Sequence, residues 1–521
     1  MILNWILALG SSALLVLLFP RFGFVWLAPA ALTPLLIACV RETRWRWRFA
    51  LGYATGFAYW FGICNWIQWT LAHHAGVSPA VAWLLFLLFC LAKAVQMGLF
   101  AALSGVLMRS ALALPSVAAL WVAIEWTHSY TGFEWLNLGN AGSDMSLPLR
   151  LAPLTGVWGI SFAFALMSAA VASIILRKPR AQILWLLLLP ALVFLPEVPN
   201  AERGNVSAIL LQPNIDDDTE WTPDLVNQTE QQLMVLSMSP ALTRDRDADL
   251  IVWPEMPAPF EDTDVNFVGR VASVAKMSHA AVLTGVIARA PDGAPLNSAL
   301  LMGSNGIAIS RYDKVNLVPF GEFVPWPFGL LTRKVSTEAG DFEAGRKVVV
   351  SPVGSHRIGT FICYESVFPS YIRKFAATGA EALFNISNDS WFGRSAARYQ
   401  HLLIVRMRAA ENARWILRAT DNGVTTVIDP AGRIVRATEE YAELAARFQY
   451  RYRQGQTVYT QYGDWFVALC ALIAITSAVS QARRRPSRYI PSPQGAEDLS
   501  HAPRDSRPSR PDSSSSLPRR E

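Results

Sequence analysis

The sequence predicts two structural classes in one chain of 521 residues: a multi-span α-helical membrane domain and a soluble α/β domain. The first 200 residues contain only 16 charged side chains, whereas 17% of the whole chain is charged. Beyond residue 200, short β-branched runs alternate with amphipathic helical patterns, which is typical of layered α/β domains. The composition also excludes a disordered chain, a collagen-like fibre and a disulfide scaffold as the main architecture.

Apolar runs long enough to cross a bilayer account for the first of these classes. A transmembrane helix needs about 20 apolar residues, and we predict eight such helices, at 3–20, 23–40, 51–71, 79–108, 111–127, 151–176, 182–198 and 465–480. Lys93 and Glu125 lie inside two of these spans, where charge is costly and usually paired or functional. Contact with each other and contact with a lipid head group are the two alternatives for this pair.

Basic loops orient the predicted spans. Arginines crowd the segment 41–48, and further basic residues follow the fourth, sixth and eighth spans, at Arg109, 177–180 and 483–485. These four loops fall on one side if the spans alternate, and the positive-inside rule makes that side cytoplasmic. The sequence therefore predicts a bacterial inner-membrane protein whose soluble domain faces the periplasm.

Residues 200–464 form the predicted soluble domain. Its strand-like runs are 207–214, 249–253, 281–287, 299–303, 307–311, 358–363, 382–386, 416–419 and 425–428, and its helical patterns are 224–238, 264–277, 367–377 and 397–413. We therefore divide the chain into a membrane domain (1–199), this domain, a C-terminal transmembrane helix (465–482) and a tail (483–521). The Ser-, Pro- and Arg-rich tail is predicted to be disordered. It carries much of the net charge of +6, so that charge does not indicate nucleic-acid binding.

Several familiar catalytic and metal motifs are missing from the sequence. It contains no GxSxG, HExxH, GxxxxGK[ST] or CxxC, and its seven histidines lack metal-ligand spacing, so we predict neither a serine triad nor a metal site. Four of the five cysteines lie in apolar stretches, where a thiol behaves as a small hydrophobe. Only Cys363 lies in the soluble domain, so no disulfide is expected there.

Three strand-end segments of the soluble domain carry side chains suited to catalysis. Glu255 follows an apolar strand, Lys314 follows another beside Asp313, and Cys363 lies at a strand-to-helix turn that should favour the thiolate. Each residue also has a non-catalytic interpretation. Glu255 could be a surface acid, Lys314 a solvated or Asp313-paired lysine, and Cys363 an inert buried cysteine. Together they are more specific, because a nucleophilic thiol needs a base and a group that stabilises the oxyanion.

The sequence around these residues resembles a known superfamily. The segments 253–255 (WPE), 312–322 (YDKVNLVPFGE) and 362–365 (ICYE) are similar to those of the nitrilase superfamily of carbon–nitrogen hydrolases. Further motifs at 385–393 (NISNDSWFG) and 156–162 (GVWGISF) narrow the resemblance to its membrane-bound members, the apolipoprotein N-acyltransferase family. The resemblance covers roughly residues 1–480.

Three positions depart from the pattern of that family. It usually has His where Asn316 stands, Pro where Glu134 stands, and Gly-Pro near Ala397 and Arg398. None of these positions is a presumed catalytic residue. The departures bear on loop and membrane-groove contacts and not on the reaction.

The resemblance implies a fold and a reaction. The soluble domain would be an α-β-β-α sandwich, and the protein would need no metal or organic cofactor. It would transfer the sn-1 acyl chain of a phospholipid to the α-amine of S-diacylglyceryl-cysteine in apolipoproteins, the last step of lipoprotein maturation. Glu255 would act as base, Lys314 would stabilise the oxyanion, and Cys363 would form a thioester in a ping-pong mechanism.

The resemblance also implies supporting residues. Glu322 would orient Lys314, and Glu365 and Tyr364 would support the pocket beside the nucleophile; simple surface ion pairing is the alternative for the two glutamates. Trp221 and Trp326 would contact substrate. The apolar residues of segment 320–331 either form a lid that dips into the lipid interface or pack inside the soluble domain.

Two other functions remain open at this point. A membrane-anchored nitrilase-like amidase, acting on a small periplasmic substrate, would share the triad but would need only one anchor. A transporter or scaffold would be expected to have lost a catalytic position. Eight spans count against the first alternative, and three intact positions count against the second.

Overall fold

The computed structural model describes residues 1–74, 76–178, 180–198, 203–215, 220–239, 248–323 and 342–483. The helices of the N-terminal half are α1 (Ile2–Leu17), α2 (Thr33–Arg41), α3 (Trp45–Ile63), α4 (Trp66–His74), α5 (Pro79–Leu107), α6 (Ala113–Trp126), α7 (Ser146–Leu149), α8 (Ala152–Thr155) and α9 (Val157–Ile175). Four 3-10 helices cover Val25–Ala30, Leu138–Asp144, Arg180–Leu188 and Pro190–Phe194. Proline in the first turn begins α2 and α5, where a missing N–H costs nothing.

Helical residues cover all eight predicted spans, but the spans differ in length. Among the described residues, α5, α9 and the C-terminal α15 (Trp465–Arg483) are long and apolar enough to cross a membrane. Helices α1 and α6 and the segment Val25–Arg41 are apolar but shorter. The predicted span 51–71 is divided between α3 and α4. The predicted span 182–198 contains two 3-10 helices, Arg180–Leu188 and Pro190–Phe194, which are separated at Leu189 because the ring of Pro190 cannot continue the first helix.

Small residues let α3 and α5 approach closely. A Cβ atom at Gly52 would lie 2.3 Å from the Cβ of Ala101, and one at Gly56 would lie 2.8 Å from the Cβ of Met97. The four-residue spacing places both glycines on one face of α3, which is a common interface for helices in membranes. A larger side chain at either position would push the two helices apart.

Two six-stranded sheets form the soluble domain. One has the strand order β12-β1-β2-β3-β4-β5 and the other β11-β10-β9-β8-β7-β6. The strands are β1 (Val206–Gln212), β2 (Leu250–Val252), β3 (Ala281–Arg289), β4 (Pro295–Met302), β5 (Ala308–Asp313), β6 (Val350–Val353), β7 (His356–Ile362), β8 (Ala382–Ser387), β9 (Ile416–Thr420), β10 (Thr426–Ile428), β11 (Ile434–Ala437) and β12 (Leu444–Tyr450). The helices are α10 (Pro223–Ser237), α11 (Val265–Ser278), α12 (Pro369–Ala377), α13 (Ala397–Asn412) and α14 (Val458–Tyr462).

Alternating side chains of the first sheet enter two different cores. Ile209 and Leu211 pack with Phe267 and Val271 of α11. Ala208 and its neighbours on the other face belong to the apolar core that contains the second sheet. Helices therefore lie outside a pair of facing sheets, which confirms the predicted nitrilase-like sandwich.

Every predicted strand and helix of the soluble domain overlaps an observed one, but three strands escaped prediction. Strands β6, β11 and β12 are all edge strands with little apolar pattern, and all four residues of β11 are exposed. Strand β4 also begins at Pro295, four residues before the predicted start at 299. That difference matters, because Asn297 lies in the added segment.

Candidate active site

The ends of strands from both sheets bring together the three predicted central residues. Glu255 follows β2, Lys314 follows β5 and Cys363 follows β7, and their exposed fractions are 4%, 1% and 6%. Strand β7 belongs to the second sheet, while β2 and β5 belong to the first. The site therefore lies where the two facing sheets meet, and neither Glu255 nor Lys314 is a solvated surface group.

Lys314 lies between two carboxylates. Its Nζ is 3.0 Å from Oε1 of Glu255 and 2.9 Å from Oε1 of Glu322. The second oxygen of Glu255 accepts a 2.9 Å hydrogen bond from the N–H of Asn388, and that of Glu322 accepts one of 2.8 Å from the N–H of Val318. The predicted link between Glu322 and Lys314 is thus a direct contact, with both partners buried.

Asn297 completes this cluster, and the sequence analysis missed it. Its Nδ2 donates to Glu255 at 2.8 Å and to Glu322 at 2.6 Å, and its backbone carbonyl accepts from the N–H of Lys314 at 2.8 Å. Because an amide N–H₂ has two donors, one side chain holds both carboxylates toward the same ammonium. A polar residue inside an otherwise apolar strand was the signal that could have identified it.

The charges of the cluster set the protonation of Lys314. Burial alone lowers the pKa of a lysine, but the carboxylates of Glu255 and Glu322 outweigh it and hold the pKa of Lys314 above its ordinary value. The side chain is therefore a permanent ammonium at neutral pH. Such a fixed cation can stabilise negative charge that develops beside it.

Cys363 has an unusual backbone and a protonated thiol. Its φ of 46° is in the left-handed region, where a non-glycine residue is strained and often functional. Burial, followed by the charge of Glu255, raises the pKa of the thiol more than Lys314 and Ser387 lower it. The expectation that the turn favours the thiolate is thus wrong for the resting site, because burial dominates. A base must remove the proton during reaction.

Glu365 clamps two parts of the site together. Its Oε1 accepts from the N–H groups of Val315 and Asn316 at 2.7 and 3.1 Å, and its Oε2 accepts from the N–H of Ile362 at 2.8 Å. The hydroxyl of Tyr312 donates to both oxygens. Burial raises the pKa of this carboxyl to about 6, despite these hydrogen bonds, which lower it. Glu365 therefore ties the end of β5 to the end of β7, and its supporting role in catalysis stays a prediction.

The membrane half reaches the site through Tyr364. The Tyr364 hydroxyl donates to the carbonyl of Gly132 at 2.7 Å, and its ring lies 6.3 Å from that of Phe133. Lys93, in α5, donates to the Phe133 carbonyl and to Thr131 Oγ1, both at 2.9 Å. The turn 131–133 therefore contacts Lys93 on one side and Tyr364, the residue after Cys363, on the other.

Lys93 and Glu125 do not form an ion pair. Lys93 Nζ lies 5.0 Å from the centre of the Trp60 ring, in addition to its two hydrogen bonds. Glu125 instead accepts a 2.6 Å hydrogen bond from the N–H of Leu138. Each charge is used inside the protein, so the structure supports neither mutual contact nor exposure to lipid for this pair.

The remaining predicted residues have different outcomes. Trp221, just before α10, is 37% exposed, and within the described parts of the chain no hydrogen bond or ring contact joins it to the three central residues. Trp326 and the rest of 324–331 lie outside the described residues. Phe320 packs against Leu71, Val77 and Ala82, at the ends of α4 and α5. It thus contacts the membrane half, which neither alternative for this loop anticipated.

A second buried cluster lies behind Cys363, and the sequence analysis assigned no role to it. Arg418 donates to both oxygens of Asp389 at 2.6 and 2.7 Å, and its NH2 lies 3.2 Å from Nδ1 of His401. These three residues are at most 1% exposed. The described residues contain no group of three His, Cys, Asp or Glu side chains that could hold a metal ion.

Comparison with known proteins defines first a class and then a family. Residues 210–450 match the family described as "Carbon-nitrogen hydrolase", and residues 11–170 match "Apolipoprotein N-acyltransferase N-terminal domain". The class is therefore a carbon–nitrogen hydrolase domain attached to a helical membrane domain. Two curated relatives extend the match over both halves, and on this evidence the chain belongs to the apolipoprotein N-acyltransferase family.

The relatives and one solved structure give the extent of the similarity. The apolipoprotein N-acyltransferase of Geobacter metallireducens is 33% identical, covering 92% of this chain and 96% of the relative. That of Azotobacter vinelandii is 34% identical, covering 94% and 96%. A branch 10 nitrilase-superfamily protein from Saccharomyces cerevisiae superposes with a TM-score of 0.38 at 17% identity, covering 48% of this chain and 92% of that one.

Proposed function

We propose that this protein transfers an acyl chain from the sn-1 position of a membrane phospholipid to the α-amine of S-diacylglyceryl-cysteine at the N-terminus of an apolipoprotein. The observation that carries the proposal is the convergence of Glu255, Lys314 and Cys363 in one buried site. The site belongs to a chain that also matches the N-terminal domain of the family. Neither a metal nor an organic cofactor takes part.

The first half-reaction acylates Cys363. Glu255 accepts the thiol proton, and the sulfur attacks the ester carbonyl of the phospholipid. Lys314, together with the backbone N–H of Tyr364, stabilises the oxyanion of the tetrahedral intermediate. Glu255 then returns the proton to the departing glycerol oxygen, so the lysophospholipid leaves and a thioester remains. A protonated resting thiol next to a carboxylate supports this order of events.

The second half-reaction transfers the acyl chain to nitrogen. The α-amine of the diacylglyceryl-cysteine enters, attacks the thioester carbonyl and loses a proton to Glu255. Collapse of the intermediate forms the amide, and the sulfur recovers the proton. Glu322 and Asn297 keep the carboxylate and the ammonium in contact throughout, because both residues bind at 2.9 Å or less.

The proposal places the reaction at the periplasmic face of the bacterial inner membrane. Basic residues near 41–48, 109 and 177–180 favour the cytoplasm for the loops that carry them, so the soluble domain would face the opposite side. Both substrates are lipids, so a thiol near the bilayer surface could receive acyl chains without exposing them to water. Trp221 and Trp326 remain candidates for substrate contact.

Trapping of the acyl-enzyme tests the proposal. A phospholipid labelled in the sn-1 chain should leave a hydroxylamine-sensitive adduct on Cys363 that mass spectrometry can locate. Cys363→Ser should abolish the adduct, and Glu255→Gln should slow its formation. Cys470→Ser is the matched control, since that thiol lies in α15. Labelling of another residue, or none in active protein, would contradict the mechanism.

An amidase acting on a small soluble substrate is not favoured. The curated relatives that match both halves of the chain are named acyltransferases. Release of free fatty acid at the rate of thioester formation would support the amidase instead.

A further inference from the structure

The carbonyl of Cys363 points into the second buried cluster, away from the proposed chemistry. It lies 3.1 Å from Nε2 of His401, and Ser366 Oγ lies 2.7 Å from the same nitrogen. His401 is fully buried, and its ring stacks on Trp135 and meets the edge of Phe392. The mechanism proposed above uses none of these contacts.

The partners of His401 determine which ring nitrogen carries the proton. A carbonyl oxygen only accepts hydrogen bonds, so a hydrogen bond to Cys363 requires the hydrogen on Nε2, and the Ser366 hydroxyl oxygen, 2.7 Å away, is then a second acceptor of the same N–H. A guanidinium only donates, so Nδ1 must accept from Arg418, whose NH2 is 3.2 Å away. Burial, followed by the charge of Arg418, also lowers the pKa of His401 and keeps the ring neutral. His401 is therefore a neutral imidazole with its hydrogen on Nε2.

Asp389 keeps Arg418 in this orientation. It accepts from Arg418 through both carboxylate oxygens and lies 3.5 Å from Nδ1 of His401. In the opposite tautomer the hydrogen on Nδ1 would face the NH2 group of Arg418 at 3.2 Å, closer than the Asp389 oxygen at 3.5 Å, and Nε2 could no longer donate to the Cys363 carbonyl. The arginine and aspartate thus select the tautomer that can hold the carbonyl.

Fixing this carbonyl also fixes the next N–H group. The peptide bond between Cys363 and Tyr364 is planar, so the Tyr364 N–H points away from the carbonyl. It is also among the first N–H groups of the 3-10 helix Cys363–Val367, which have no partner within that helix. We infer that His401 is a positioning residue that anchors the Cys363 carbonyl and thereby aims the Tyr364 N–H at the developing oxyanion. This inference rests on the proposed acyl transfer through Cys363.

Two reactions of the same thiol test the inference. Acylation by a p-nitrophenyl ester of a medium-chain fatty acid passes through an oxyanion, whereas alkylation by iodoacetamide does not. His401→Phe keeps a ring between Trp135 and Phe392 but cannot donate to the carbonyl. We expect it to slow acylation of the full-length protein by about 100-fold, the usual effect of losing an oxyanion donor, and to change alkylation by less than about threefold.

A matched pair of amides provides the control. The side-chain N–H of glutamine can reach the position of Nε2, whereas that of asparagine, one methylene shorter, cannot. His401→Gln should therefore recover most of the acylation rate, and His401→Asn should behave like His401→Phe. This pair keeps the test decisive if the phenylalanine variant folds poorly.

The outcomes separate the inference from the proposed function. The positioning role would be overturned if His401→Phe and His401→Asn slowed acylation and alkylation equally. It would also be overturned if both variants were acylated at the parental rate. Acylation of Cys363 by the aryl ester but not by a phospholipid would instead overturn the proposed donor. Absence of any acylation of Cys363 in the parent would overturn both.

Discussion

Lys314 and Lys93 are both almost fully buried, at 1% and 5% exposed, but their surroundings differ. Lys314 contacts two carboxylates at 3.0 and 2.9 Å. Lys93 donates to a carbonyl and a hydroxyl and faces the Trp60 ring, and no described carboxylate lies within ion-pair distance of it. From this difference we expect Lys314 to supply charge to the proposed reaction and Lys93 to hold a turn in place.

The two lysines also act over different distances. Lys314 belongs to the cluster that adjoins Cys363, and the charge of each affects the pKa of the other. Lys93 reaches the nucleophile only through Phe133, Gly132 and the hydroxyl of Tyr364. If this account is correct, variants of the two residues should separate in both the size and the kind of their effects.

Lys314→Met should have the largest effect. We expect acylation of Cys363 to slow by about 10³-fold, because a preorganised oxyanion donor contributes about 10²- to 10³-fold and two carboxylates lose their partner. The free energy of unfolding should fall by about 3–5 kcal/mol. Single-turnover acylation and chemical denaturation measure these changes. Lys347→Met, on an exposed lysine, is the control; parental acylation by Lys314→Met would refute the assigned role.

Asn297→Asp should come next. A third carboxylate beside Glu255 and Glu322 replaces an N–H₂ group that donates to both. We expect acylation to slow by about 100-fold, or about 2.7 kcal/mol, measured by the same single-turnover assay. Asn305→Asp, on an exposed turn, makes the same chemical change away from the site. Similar rates for the two variants would show that Asn297 does not control the cluster.

Glu365 extends the comparison to a buried acid. Its pKa is about 6 in the folded protein against 4.5 as the ordinary value, so the folded state binds the proton more tightly. The resulting stabilisation is complete below pH 4.5 and is lost as the pH rises through about 6. This change is about 2 kcal/mol. Between pH 4 and 7, the free energy of unfolding of the parent should therefore fall by about 2 kcal/mol more than that of Glu365→Gln. Parallel curves for the two proteins would contradict this prediction.

Lys93→Met should have the smallest effect. Loss of its two hydrogen bonds should loosen the turn 131–133 and slow acyl transfer by about tenfold, or about 1.4 kcal/mol. Tyr364→Phe removes the other end of the same connection. In a double-mutant cycle the two effects should be strongly non-additive. Fully additive rates would mean that Lys93 and Tyr364 act independently.

The sequence located the three residues that converge in the buried site, but it missed most of the residues that surround them. Glu255, Lys314 and Cys363 follow apolar strands, and strand ends in facing sheets converge, so a local pattern located them. Asn297 escaped because the apolar run that marked β4 begins after it. The partners of Lys93 escaped because they lie in an irregular turn 38 to 40 residues away in sequence.

The cluster behind Cys363 shows a different limit of sequence reasoning. Asp389, His401 and Arg418 come from a 3-10 helix, a long helix and a strand, and only the packing of the second sheet brings them together. Their ring and guanidinium orientations follow from buried contacts that no spacing rule describes. The break at Leu189 in the predicted span 182–198 also escaped prediction, because apolar length alone does not show where a helix ends.

The most direct test of the central claim is a chase of the isolated acyl-enzyme. Protein carrying a labelled acyl group on Cys363 is separated from phospholipid and mixed with a synthetic S-diacylglyceryl-cysteinyl peptide. We predict that the label moves to the α-amine of the peptide at least as fast as steady-state turnover, and that a peptide with an acetylated α-amine receives none. Transfer of the label to water at the same rate in both samples would contradict the account.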